Sequence, residues 1–232
     1  MSTQTHPDVS TYIIKKAKSV GVSLAGIVSV DSLENSPSHT MYGQVEWPTE
    51  AKSVLVLALA HKATEPELDW WGEQGGTAGN RRLQDISKIL RQFLHEEFNI
   101  EAQLLPYQVG PQGIFLKDAA ALAGLGTIGA NNLLLTPEFG PRVRLRALSL
   151  DVELTPTRPI DFSPCDTCDR PCWRVCPQQA FVSGSYSKSM CNKQMKVDEA
   201  NRVSIKNAES GDGSGAYIKY CRACELACPV AR

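Results

Sequence analysis

The stretch CDTCDRPCWRVCP, residues 165–177, sets four cysteines within twelve residues and follows the last of them with proline. A second run, CRACELACP at 221–229, repeats the pattern with Cys221, Cys224 and Cys228 and the same Cys-Pro ending, and Cys191 stands alone between the two. Eight thiolates suit two four-ligand sites. In two-cluster bacterial ferredoxins the closely spaced cysteines wrap one [4Fe-4S] cluster, while the cysteine before proline crosses to the other. That rule gives one cluster to Cys165, Cys168, Cys172 and Cys228, and a second to Cys191, Cys221, Cys224 and Cys176. Three residues separate Cys168 from Cys172 where the common run has two, which lengthens a loop and leaves the ligand set whole.

Zinc competes for such a pattern, because cysteines two residues apart also suit tetrahedral thiolate sites. Against it, zinc modules do not favour the Cys-Pro ending, and none of His6, His39, His61 and His95 falls in the cysteine region. Disulfides compete too. The N-terminus, MSTQTHPDVS, has neither the basic flank nor the apolar run of a secretory signal, and no segment approaches a membrane span. The sequence therefore predicts a cytoplasmic protein, in which metal ligation or redox chemistry is expected of the thiols. Lys plus Arg (24) balance Asp plus Glu (25), so no long-range field draws the molecule to nucleic acid or to an anionic membrane.

No cysteine occurs before position 165. The proline-interrupted stretch LTPTRPIDFSP (154–164) sits at that step and cannot continue a helix or a central strand, which places a boundary near Arg158 and divides the chain into 1–158 and 159–232. The first part interleaves helices and strands. Val9, Ile13, Ala17 and Val20 recur at helical spacing, with Asp8 as a cap and Gly21 as the stop. Leu83, Ile86, Ile89, Leu90, Phe93, Leu94 and Phe98 line one face of a second helix, with Asn80 as its cap. Apolar runs at 25–30, 53–60 and 143–150 read as strands, joined by shorter ones near 102–105 and 132–135 and by a helix over 116–123. This is an α/β layered domain. The second part is loop-rich, with AESGDGSG (208–215) reading as a mobile loop, and has too little apolar surface to offset its ordering entropy. Bound metal would hold it.

The segment AGLGTIGA carries Gly124, Gly126 and Gly129 at the spacing of a dinucleotide fingerprint. That fingerprint needs a strand before the glycines and a helix after them. Here an alanine-rich helix precedes and the strand-like NNLLLT follows, so no Rossmann site is expected. The glycines either cap the helix or let backbone approach a large planar ligand.

DAAALAGLGTIGANNLLLTPEFGPRVRL, the earlier WPTEAKSVLVLALA, the first helix ending in AKSVGV and the eight cysteines together resemble epoxyqueuosine reductase and its relatives, the cobalamin-dependent reductive dehalogenases. The resemblance implies an α+β architecture: a nitroreductase-like α/β domain that holds base-off cobalamin, followed by a ferredoxin-like module with two [4Fe-4S] clusters. It implies a low-potential electron donor, and it sets Gly124, Gly126, Gly129 and Asn131 beside the cofactor. Matching the family pattern residue by residue also shows departures. Gly110 stands where the family has a proton-donating acid, Ala130 where it has a lysine, and GGTAGNRR lacks its Asp-Tyr-His run. No helical-repeat domain is expected after Cys228, so a tRNA substrate is not expected either.

Tyr107, just ahead of Gly110, is the candidate proton donor in place of the acid, its competing role being packing. Lys117 and Asp118 are expected on the exposed side of their helix. Arg142, Arg144 and Arg146 alternate along a strand, as cofactor-binding cations or as a solvated face, and Trp70 and Trp71 form a lid or anchor a loop. Two functions from different classes remain. One is an iron-sulfur oxidoreductase feeding cobalamin, or in its place a flavin or another tetrapyrrole, to reduce a small molecule. The other is an electron-transfer or accessory protein, acting on a redox partner, that has lost the corrinoid.

Overall fold

The structure, a computed structural model, describes residues 7–43, 45–47, 50–61, 64–72, 76–107, 109, 112–205 and 215–231. In chain order the elements are α1 (Pro7–Ser19), β1 (Leu24–Ser29), α2 (Val30–Glu34), α3 (Pro37–Tyr42), β2 (Ser53–Ala60), a 3-10 turn (Pro66–Asp69), α4 (Ala78–Phe98), β3 (Ala102–Leu104) and α5 (Leu116–Leu122). There follow β4 (Thr127–Ile128), β5 (Leu134–Leu135), β6 (Val143–Leu150), α6 (Pro171–Arg174), α7 (Lys188–Ala200), β7 (Val203–Ile205), β8 (Gly215–Tyr217) and α8 (Ala223–Leu226). The fold is mixed α/β. The chain forms two compact units that are not consecutive: residues 1–60, 82–128 and 143–162 make the first, and 61–81, 129–142 and 163–232 the second.

The first unit is built on a four-stranded sheet in the order β1-β2-β6-β3, every neighbouring pair antiparallel. Seven of the eight residues of β2 are buried, so this strand has no face left for water. Leu55, Leu57 and Leu59 point to one side, where Ile13 and Ala17 of α1 and Leu83, Ile86, Leu90 and Leu94 of α4 close a single core. Val54, Val56 and Ala58 point to the other side and are equally buried. α5 lies against β1, β2 and β6. Gly21, at φ +111°, stops α1 as its sequence suggests. Two caps differ from expectation. Asp8 lies inside α1, which starts at Pro7. At α4 the cap is Thr77, whose Oγ1 accepts the Asn80 N–H at 3.1 Å. A hydroxyl one residue before the first turn does this better than a side chain already inside the helix.

Residues 151–158 form no strand, yet they are tied down along the edge strand β1. Thr157 N–H donates to Ile27 O at 2.9 Å, its Oγ1 accepts the Ile27 N–H at 2.8 Å, and the hydroxyl lies 2.6 Å from Ala123 O. Leu154 N–H donates to Ser53 Oγ at 3.0 Å. Proline prevents ladder pairing there, and a threonine hydroxyl stitches the strap instead, covering an edge that would otherwise be open.

α3 is latched to the start of α5. Phe115 N–H donates to His39 Nε2 at 3.3 Å, which leaves the ring proton on Nδ1, facing Ser36 Oγ at 2.9 Å. Asp118 is buried, contrary to the exposed position expected of it, because its Oδ2 accepts the Ser38 N–H at 3.2 Å. Lys117 is half-buried and its ammonium pKa is lowered by that burial, with Asp118 opposing. Ser36, His39 and Asp118 are thus a structural relay: the His39 proton points at the serine, so the ring cannot serve as that serine's base.

Burial lowers the His39 pKa from 6.5, opposed by Asp118 and Glu34. The neutral ring is the folded form, so the unfolded chain binds more protons between the folded pKa and 6.5, and stability falls as pH drops through that window. The expected contribution is a slope of at most about 1.4 kcal/mol per pH unit below pH 6.5. Urea unfolding at pH 7 and pH 5.5 should show that this slope shrinks in His39→Gln.

Candidate metal centre

Between residues 163 and 232 the buried described side chains are Cys172, Ala180, Phe181, Tyr217 and Cys228, so two of five are thiols. α7 has no buried residue at all. A region this poor in apolar burial needs another source of order. All eight cysteines are free, with Cys221 exposed, Cys172 and Cys228 buried, and the rest in between.

The thiols fall into two electrostatic neighbourhoods. Cys172 is pushed up to about 11, first by burial and then by Cys228, Cys165 and Cys168. Cys228 is raised by burial and by Cys165 and Cys168, against the pull of a hydrogen bond with the Val230 backbone and of Arg142. Cys224 is pushed up to about 12 by burial, then by Cys221, Cys191, Cys172 and Cys176. Cys221 is raised by burial, with Asp198, Cys176 and Cys191 adding to it. Thiols that raise one another's pKa this way are crowded sulfurs, and a bound cation would reverse that logic by taking them as thiolates. Among the described residues no three His, Cys, Asp or Glu side chains are gathered tightly enough for a single metal ion. A four-iron cluster is a larger body and spreads its ligands further apart.

Groups that sequence patterning does not reveal surround the sulfurs. Ala130 N–H donates to Cys165 Sγ at 3.4 Å and Ala180 N–H to Cys176 Sγ at 3.3 Å. The Tyr186 hydroxyl hydrogen-bonds Cys191, and its pKa is raised by burial first and by the neighbouring thiols after it. Trp173 Nε1–H donates to Ala130 O at 2.8 Å, and its ring stacks on Phe181 at 5.8 Å. The residues after Cys228 are clamped: Arg142 donates to Val230 O at 3.2 Å and to Ala231 O, and a side chain at Gly140, φ +56°, would drive into the Val230 carbonyl.

The turn between Cys221 and Cys224 carries Arg222, which is held at both ends. Its guanidinium meets Asp69 Oδ2 at 2.7 Å, His61 Nδ1 at 3.0 Å and the Glu225 carboxylate. His61 and Asp69 are 2.9 Å apart and almost fully buried. Removing one member would leave the others as uncompensated buried charge. Nearby, Trp71 exchanges backbone hydrogen bonds with Ile218 and packs edge-on against Tyr220, while Lys219 sits 4.0 Å over the Trp70 ring. These tryptophans anchor a loop.

The candidate cofactor residues have roles inside their own units. In the first unit Gly124, φ +74°, ends α5, and any Cβ there would strike the Arg158 carbonyl. In the second, a Cβ at Gly129 would strike Leu135, and Asn131 is buried with Oδ1 accepting the Leu133 N–H at 3.2 Å and Nδ2 donating to Cys224 O at 3.4 Å. Of the strand arginines, Arg146 is buried, contrary to a solvated face: it donates to Leu105 O at 3.5 Å and lies 5.1 Å from the Tyr107 ring centre. Tyr107 is 37% exposed. Gly110 and 208–214 lie outside the described residues.

No protein-family model matches the chain. A tetrachloroethene reductive dehalogenase of Sulfurospirillum multivorans is 33% identical over 119 residues, which is 49% of this chain and 23% of that protein. An epoxyqueuosine reductase of Bacillus anthracis is 28% identical over 190 residues, 77% of this chain and 48% of that protein. The fold of Streptococcus thermophilus epoxyqueuosine reductase matches 97% of this chain and 66% of that one, with a TM-score of 0.65 at 21% identity. A catabolic reductive dehalogenase in complex with 3-bromo-4-hydroxybenzoic acid matches all of this chain and 33% of its own, with a TM-score of 0.70 at 20% identity. In sequence and in fold the chain resembles epoxyqueuosine reductases and reductive dehalogenases. A further fold match, at a TM-score of 0.58, 21% identity, 77% of this chain and 26% of that one, is a reductive dehalogenase described by its B12-dependent dehalogenation. These relatives are oxidoreductases, and the chain spans half or less of the length of the two curated ones. Among the described residues no helix is long and apolar enough to cross a membrane.

Proposed function

We propose that the chain is an iron-sulfur oxidoreductase that passes electrons through two [4Fe-4S] clusters toward a cofactor, cobalamin by family likeness, in a nitroreductase-like first unit. The observation that carries this reading is the division of eight free thiols into two crowded neighbourhoods in a region with almost no apolar core. Cys165, Cys168, Cys172 and Cys228 would hold one cluster, and Cys176, Cys191, Cys221 and Cys224 the other, giving a ferredoxin-like module in which each Cys-Pro cysteine serves the opposite site. Cys172 also acts on Cys224, as expected of neighbouring sites.

When bound, the clusters would supply single electrons at low potential, and a corrinoid would supply the reductive chemistry on a small substrate. The chain's own groups set the conditions. The Ala130 and Ala180 amides and the Tyr186 hydroxyl direct hydrogen bonds at sulfurs, which favours added negative charge and so raises a cluster's potential. Tyr107 is the candidate proton donor to substrate, with the Arg146 cation near its ring to stabilise negative charge left on the oxygen.

A second reading is favoured by Gly124 and Asn131, whose roles are complete without a cofactor: an electron carrier that keeps the clusters and has lost the corrinoid. Titrating anaerobically reconstituted protein with hydroxocobalamin separates the two. The enzyme reading expects a shift of the corrin absorbance and a higher melting temperature at one equivalent. Neither change, with both clusters intact, leaves the carrier.

A further inference from the structure

α7 is a surface helix with two chemically distinct sides. At 3.6 residues per turn, Met190, Cys191, Gln194, Met195 and Asp198 share the half-buried side. That side is fixed in place: Asp198 Oδ2 accepts the Cys221 N–H at 2.8 Å, and its Oδ1 accepts from Gln194 at 2.8 Å. Lys188, Lys193 and Lys196 occupy the exposed side, together with Val197, which is 46% exposed. None of the three lysines forms an ion pair among the described residues. The one exposed carboxylate on the helix, Glu199, is engaged by the Tyr220 hydroxyl at 2.9 Å. Arg202, just beyond the helix, is exposed as well. The whole chain is close to neutral, with 24 basic and 25 acidic residues, so this is a local cationic face and not an overall basic bias.

We infer that the outer face of α7 is the docking surface for an acidic, low-potential electron-transfer protein. The inference rests on the proposed function, because it needs Cys191 and Cys221 as cluster ligands. Of the two thiol sets, theirs contains the one exposed cysteine, Cys221, while the other contains both buried ones, so electrons from outside arrive at the set under α7. One helix, about 10 Å across with its side chains, separates a protein docked on the lysines from Cys191 on the inner side. An exposed Val197 beside Lys193 and Lys196 suits a short-lived redox encounter, in which charge steers association and a small contact allows fast release. In the transfer the carrier loses one electron and the oxidised cluster gains it, and no bond forms or breaks.

The test uses the full chain with both clusters assembled and a reduced plant-type ferredoxin as the acidic carrier, cluster reduction being followed by bleaching near 400 nm in stopped flow. Lys193→Glu/Lys196→Glu should slow reduction by ferredoxin at least about tenfold at low ionic strength, with added salt lowering the parent rate toward that of the variant. Lys193→Gln/Lys196→Gln should fall between them. Reduction by dithionite, which needs no docking, should stay unchanged in all three. An unchanged ferredoxin rate overturns the inference. So does loss of binding to a tRNA stem-loop with ferredoxin reduction intact, which would make the face an RNA contact. If dithionite bleaches nothing in the parent protein, the proposed function fails and takes the docking surface with it, whereas normal bleaching with an unchanged ferredoxin rate removes the docking surface alone.

Discussion

Cys228→Ala should reduce the iron content from about eight to about four per chain and leave one intact cluster. Its buried thiol shares a neighbourhood with Cys165, Cys168 and Cys172, although more than fifty residues separate it from them in sequence. Cys172→Ala should remove the same cluster, so the Cys172/Cys228 double variant should lose no more iron than either single change. Cys176 lies one helical turn from Cys172 in sequence but belongs with the other neighbourhood, so Cys176→Ala should cost the other cluster, and Cys176/Cys228 together should leave almost no iron. Iron and acid-labile sulfide assays on anaerobic preparations read all five proteins. Equal losses from Cys172/Cys228 and Cys176/Cys228 would contradict the crossed assignment.

Gly124→Ala should destabilise the protein by about 3 kcal/mol or more, whether or not any cofactor is present. Gly124 has φ +74°, a conformation that L side chains rarely adopt, and a Cβ would meet the Arg158 carbonyl, a backbone atom that cannot rotate away. The strap that carries Arg158 is itself fixed by Thr157 to Ile27 and Ala123, so relief would break those hydrogen bonds. At about 2–4 °C per kcal/mol for a chain of this size, the melting temperature should fall by about 6–12 °C. Thermal unfolding of cofactor-free protein is the deciding measurement. An unchanged melting temperature would mean that the glycine serves only the approach of a ligand.

Elements with an uninterrupted apolar signal are legible in the amino-acid sequence alone. β2 and β6 run over the residues expected of them, and α4 follows its stripe from Leu83 to Phe98 except at Ile89, which is 49% exposed, because burial against a sheet imposes a period that the sequence cannot hide. The inverted order around the glycines is legible too: α5 comes before them and β5 after. Polar burial is not. Asp118 looks like an ordinary first-turn carboxylate until α3 brings the Ser38 amide to it, and Arg146 looks solvated until the Leu105 carbonyl and Tyr107 ring cover it. His61, Asp69, Arg222 and Glu225 lie up to 164 residues apart in the chain, and no local pattern announces that they form one buried network. The amides of Ala130 and Ala180 that reach sulfur carry no side-chain signal at all. The strap at 151–158 has the sequence of a break, because proline excludes a ladder, whereas Thr157 ties it to the sheet edge.

Holding the cysteine-rich region together with sulfur-bound iron is the claim from which the rest follows, and metal and sulfide content tests it most directly. Anaerobically purified wild-type protein is expected to be brown, with about eight iron and about eight acid-labile sulfide per chain and no stoichiometric zinc. A colourless protein with zinc in place of iron and no sulfide, or one that keeps its melting temperature after complete chelation, would contradict it.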